Sequence, residues 1–164
     1  MRVDASKIKK NEWKLICGNE DAEKFLSGCM YFHDSVITEI VYTPNPEPYQ
    51  RSDGRFCANT SLKITYNVYT NMNKSAEQNT DEVPVRKSIE VDFRRVRKFH
   101  FVPFDEGDCN ILSQANIVFM GECLIWGELP GAYDKKNEYG FTDKKTWILC
   151  EEIRWREMDR TVLW

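Results

Sequence analysis

A chain of 164 residues and 19.3 kDa, 41% hydrophobic and 30% charged, carries enough apolar side chain to close one core without metals or disulfides as staples, which excludes disorder throughout. Its formal net charge of -3 removes any general attraction to phosphate backbones. No run approaches the roughly 20 apolar residues that cross a bilayer, and Met1 to Trp13 hold none of signal-peptide length, so a cytoplasmic chain without a membrane partner is expected.

Residues 1–164 read as a single globular domain. A short strand is expected around Glu12 to Cys17, where Trp13, Leu15 and Cys17 alternate with polar neighbours imperfectly. Asn19 is placed to cap a helix through Ala22 to Cys29, with Glu20 and Asp21 in the positive first turn and Ala22, Phe25, Leu26 and Cys29 forming one apolar stripe. Val36 to Thr43, rich in β-branched residues, predicts a strand. Pro44, Pro46 and Pro48 end its ladder, and the chain makes a surface excursion through Ser52-Asp53-Gly54.

Leu62, Ile64, Tyr66 and Val68 alternate with Lys63, Thr65, Asn67 and Tyr69, predicting a strand with one buried and one wetter face. The polar stretch 71–82 reads as an exposed loop, after which Ile89, Val91 and Phe93 resume the period of two. Arg95 to Val102 either extends this strand or turns onto another surface, ahead of a turn at Phe104 to Asp108. Ile117 to Gly121 and Glu122 to Gly127 predict two short strands or one distorted at Gly121; Pro130 breaks the ladder and 134–140 reads as a second exposed loop. In the extended stretch Lys145 to Arg156, Trp147 and Leu149 share phase with Ile153 and Trp155, but Glu151 occupies the inward position between them, which calls for a bulge, an edge or a long strand leaving the core. The sum is an α+β fold: a single, mainly antiparallel sheet with an early α-helix packed on one face.

The six cysteines contain no CxxC knuckle, and only His33 and His100 supply imidazoles, so free thiols, no metal and no cofactor are expected. Phe32-His33-Asp34-Ser35 is the sharpest local feature: histidine exchanges protons near neutral pH, and a neighbouring carboxylate can orient a substrate. Successive residues of a strand point to opposite faces, however, so His33 and Asp34 do not make a ready dyad there. Recognition through Phe32, His33 and Asp34 is one reading; the bland one has Asp34 or Ser35 holding backbone amides.

Arg94 to His100 is the concentrated basic run. Alternation divides Arg95 and Arg97 from Arg94, Lys98 and His100, and nearby acidic residues neutralise it, so a solvated strand edge or a patch facing an acidic protein partner is expected in place of a nucleic-acid site. Among five tryptophans, Trp126 is a candidate contact residue. Phe32-His33-Asp34-Ser35-Val36-Ile37-Thr38-Glu39-Ile40 resembles the opening of a loose group of small bacterial proteins, some similar to immunity proteins of toxin systems. That resemblance implies an early helix, an FHD-like turn into a strand, later antiparallel strands, and noncatalytic binding of a protein partner without a cofactor. A small hydrolase or transferase using His33 and Asp34 is the alternative, and a structural or regulatory domain the third.

Overall fold

The structure, a computed structural model, describes residues 12–44, 48–70, 85–102, 111–112, 114–128, 135–142 and 144–158. The loop expected over 71–82 and the turn at Phe104 to Asp108 lie outside these residues. Six antiparallel strands form the larger sheet: β1 (Lys14–Leu15), β2 (Ser35–Thr43), β5 (Ser61–Thr70), β6 (Val85–Arg94), β8 (Ile111–Leu112) and β12 (Glu152–Met158), in the order β1-β12-β6-β5-β2-β8. A second, four-stranded sheet joins β7 (Lys98–His100), β11 (Trp147–Cys150), β10 (Cys123–Glu128) and β9 (Ala115–Met120), in that order. Between β2 and β5 the chain forms a separate two-stranded ribbon, β3 (Pro48–Gln50) with β4 (Phe56–Ala58). The expected α+β fold with an early helix on a mainly antiparallel sheet is present, and the second sheet is added to it.

Register follows the alternation read from the sequence. Leu62, Ile64 and Tyr66 lie opposite Phe93, Val91 and Ile89, so the two apolar rows coincide on one face of β5 and β6. A one-residue slip of either strand would turn its own row outward and away from the other, so burial of that face selects the pairing. The helix α1 (Asn19–Gly28) sets Ala22, Phe25 and Leu26 into the same core, where Phe25 stacks on Trp155 of β12 at 4.8 Å. Asn19 is the first helical residue and not the cap; Gly18 holds that place without a side-chain bond. The Asp21 carboxylate reaches back to the Cys17 amide at 3.0 Å, doing for the entering chain what a capping oxygen does.

From the smaller sheet, Ile117, Leu124, Trp126, Ile148 and Cys150 enter the same continuous core. Two paired strands carry the chain from one sheet to the other. β6 pairs with β12 through Arg94 and Glu152, and after a bend β7 pairs with β11 through Lys98 and Leu149. The bend uses a left-handed Arg95 (φ 51°) on one strand and the single residue Glu151 on the other, whose amide donates to the Arg94 carbonyl at 3.2 Å. Strands that switch sheets commonly turn such corners at bulges. The inward phase of Glu151 is thereby explained: the strand ends on one side of it and a new one begins on the other.

Two outer faces complete the packing. Beyond the smaller sheet, Cys123, Ile125, Trp147 and Leu149 meet Phe141 and Tyr139 of the 135–142 turn. Beyond the larger one, Thr65, Asn67, Ser88, Glu90 and Asp92 are buried although polar. Arg154 pairs with Asp92 at 2.7 Å and Arg156 with Glu90 at 3.1 Å, and the Trp13 ring lies against both guanidiniums at 4.4 and 4.5 Å. Cation–π contact and charge pairing together let a polar face be withdrawn from water.

Candidate functional site

Directly after α1 the backbone turns left-handed. Met30, Tyr31 and Phe32 have φ of 49°, 53° and 61°, and after an extended His33, Asp34 returns to 56°. For residues with a Cβ each such conformation costs about 1–2 kcal/mol. Buried contacts offset the strain. The Phe32 ring is fully buried, 5.4 Å from Phe25, 5.1 Å from Tyr66 and 6.1 Å from Trp126. The Phe32 and His33 amides donate to Cys29 and Met30, the Asp34 amide donates to the Leu112 carbonyl, and the Tyr31 hydroxyl donates to Glu23.

With the turn anchored, the next two side chains face outward. His33 and Asp34 are 65% and 63% exposed, and Nδ1 of His33 stands 2.9 Å from Oδ2 of Asp34. The expectation that strand alternation would separate them is corrected here: both precede the strand, and the left-handed Asp34 brings its carboxylate back to the imidazole. When Asp34 accepts the Nδ1 proton, Nε2 is left as an acceptor facing away from the pair.

A second polar centre occupies the corner between the sheets. The Glu151 side chain is only 10% exposed; Arg95 donates to it through Nε at 3.2 Å, Arg97 through Nε at 3.0 Å and Nη2 at 2.6 Å, and Nε of Arg51 lies 3.9 Å away. Arg95 also reaches Glu152 at 3.0 Å, and Arg51 bonds Glu122, which accepts a further bond from Ser52 at 3.2 Å. The Arg51 hydrogen bond holds the Glu122 carboxyl below the ordinary range, with the Ser52 hydroxyl adding to it. A cavity of about 230 Å³ is lined by Arg51, Ser52, Arg95, Glu122 and Glu151. Arg95 and Arg97 converge on one carboxylate at the bend between β6 and β7, where no strand runs, and each guanidinium meets a glutamate.

Of the remaining sequence candidates, Phe32 and Trp126 are core residues, each fully buried. Trp126 packs between Tyr66 and Phe93 at 5.6 and 5.7 Å, so its ring supports the fold and offers no surface as placed. Arg51, Glu122 and Glu151 were not singled out as site residues from the sequence. The broken phase at Glu151 was their one local signal; Arg51 lies 71 residues from Glu122, and nothing near either predicts the pairing. Among the described residues no group of three or more histidine, cysteine or acidic side chains is arranged to hold a metal, and no helix is long and apolar enough to cross a membrane. No family model matches this chain, nor does any curated protein or any solved structure.

Proposed function

We propose that this chain is a noncatalytic protein-interaction domain that presents the His33–Asp34 turn to a protein partner. One observation carries the reading: two polar side chains, each about two-thirds exposed, stand on a strained turn whose neighbouring aromatic is wholly buried. Strained backbone persists where the surroundings over-determine it, and clusters at ligand clamps and active sites. Such a turn keeps the pair ordered before contact, which lowers the ordering cost of binding. The finer, immunity-like reading draws on the resemblance around Phe32 to Ile40. Arg95 and Arg97, each already facing a glutamate, support a protein-facing corner over a phosphate-binding one.

Affinity capture from the native organism, repeated with His33→Ala and Asp34→Ala, tests the proposal. The expected result is a reproducible partner whose affinity falls at least tenfold, about 1.4 kcal/mol, in either variant while folding is retained. A partner bound equally by both variants removes the turn from the interface. An adjacent toxin gene whose product is the captured partner supports the immunity-like reading, and a neighbourhood of metabolic genes removes its main support.

The second reading, a small hydrolase or transferase, is favoured by the 2.9 Å pair, since a carboxylate on Nδ1 with Nε2 outward is the arrangement of a general base. Turnover of a defined substrate abolished by both substitutions in folded protein would replace the first reading with this one.

A further inference from the structure

Among the described residues the larger and smaller sheets end in four edge strands, and three of these are protected against pairing with another chain. β1 and β8 span two residues each and β7 three, while β1 carries Lys14 and β7 carries Lys98, whose side chain is 59% exposed. Short edges and lysines are the usual means by which strand addition is prevented. β9 has neither. It runs for six residues, Ala115-Asn116-Ile117-Val118-Phe119-Met120, without a charge or a proline. Val118 and Met120 lie opposite Ile125 and Cys123, so they continue the apolar outer row of β10, but they stand 36% and 41% exposed where that row is buried. The Ile117 amide bonds the side-chain oxygen of Asn116 at 2.9 Å in place of a strand carbonyl, which marks the side away from β10 as open. Because amides alternate sides along an antiparallel strand, Phe119 presents its own amide on that same side.

We infer that β9 is the edge through which two copies of this chain associate, antiparallel about a two-fold axis at Val118. In that register Ile117 of each copy exchanges backbone hydrogen bonds with Phe119 of the other, and Val118 meets Val118 as the closer, non-hydrogen-bonded pair. Asn116 and Met120 oppose one another on either side of it, so no two charged side chains are brought together. The Asn116 oxygen gives up the Ile117 amide to the second copy's Phe119 carbonyl. The neutrality of β9 selects the occupant. A charged partner strand would lose water here without gaining a counter-charge, whereas a second copy offers an equally neutral strand in a self-complementary contact. Joined edge to edge, the two smaller sheets become one continuous sheet, and the exposed row of Val118 and Met120 is drawn out of water. The inference does not rest on the His33–Asp34 reading.

Sedimentation equilibrium of the full chain over about 1–300 µM reads the association by mass action. The native chain is expected to pass from 19.3 kDa toward twice that mass as concentration rises. Val118→Lys and Val118→Glu each set like charges directly opposite across the axis, so either alone should weaken association at least tenfold, about 1.4 kcal/mol. An equimolar mixture of the two variants opposes lysine to glutamate and should associate more tightly than either alone. Val41→Lys, at a 41% exposed position on β2, should leave association unchanged. Far-ultraviolet circular dichroism checks that every variant is folded. A native chain that stays at 19.3 kDa throughout overturns the inference. So does a dimer that Val118→Lys leaves intact, one that Val41→Lys weakens as much, or a mixture that associates no better than its components.

Discussion

Gly127 is where the packing of the smaller sheet is least forgiving. A Cβ built there would stand 2.6 and 2.8 Å from the Phe141 ring and 2.8 Å from the Trp147 Cβ, so the 135–142 turn closes on β10 only because no side chain intervenes. Gly127→Ala is expected to destabilise the chain by about 1–3 kcal/mol, the range for overpacking, measured by urea denaturation. A loss below about 0.5 kcal/mol would show that Phe141 moves aside freely. The thiols differ as sharply by position. Cys29 and Cys150 are fully buried, and burial pushes both well above the ordinary thiol range, while Cys17 is exposed. Because the thiolate is the nucleophile, alkylation of native protein followed by peptide mass mapping should modify Cys17 and spare Cys29 and Cys150 until denaturant is added. Prompt labelling of either buried thiol would contradict their placement.

On the larger sheet, the pairing of β6 with β12 rests on more than its backbone ladder. Arg154 bonds Asp92 through Nε at 2.8 Å and Nη2 at 2.7 Å across the strands. Removing the carboxylate by Asp92→Ala leaves the guanidinium without it, and breaking such a pair costs about 3–5 kcal/mol when both charges are buried. Arg154 remains 30% exposed, so a loss near the lower end, about 3 kcal/mol or less, is expected. The double change Asp92→Leu with Arg154→Met should recover most of it; equal losses in single and double variants would assign the effect to shape and not to charge.

In the ribbon the relevant control is pH. The Glu122 carboxyl lies below its ordinary value because Arg51 bonds the ionised form. Its contribution is therefore complete above the ordinary carboxylate range and disappears as pH falls through the lowered folded value. Arg51→Gln should raise the Glu122 titration toward the ordinary range, observed by carbon-13 NMR, and an unmoved titration would remove Arg51 as the cause.

At the scale of the whole molecule, one apolar cluster takes side chains from α1 and from both sheets, and the strands crossing the corner make their packing continuous. A core shared in this way predicts a single cooperative transition. Thermal unfolding followed by near-ultraviolet and far-ultraviolet circular dichroism should give coincident curves. Separated midpoints would mean that the two sheets unfold independently.

Composition and periodicity alone determined the α+β class, the helix stripe of Ala22, Phe25 and Leu26, and the inward rows of β5 and β6, because helix and strand leave different local spacings and burial of one face then sets the register. Local spacing also marked the broken phase at Glu151 without giving its cause. Tertiary contact decided the rest. The second sheet depends on where Arg95 and Glu151 bend paired strands that are 56 residues apart. The junction of His33 with Asp34 depends on left-handed residues held by a ring buried among Phe25, Tyr66 and Trp126. Trp126 read as a surface candidate because indole suits both interfaces and cores, and only the packing of Tyr66 and Phe93 around it selected the core. Long-range contacts determine which side chains meet, and no period within one strand encodes the partner that another strand will supply.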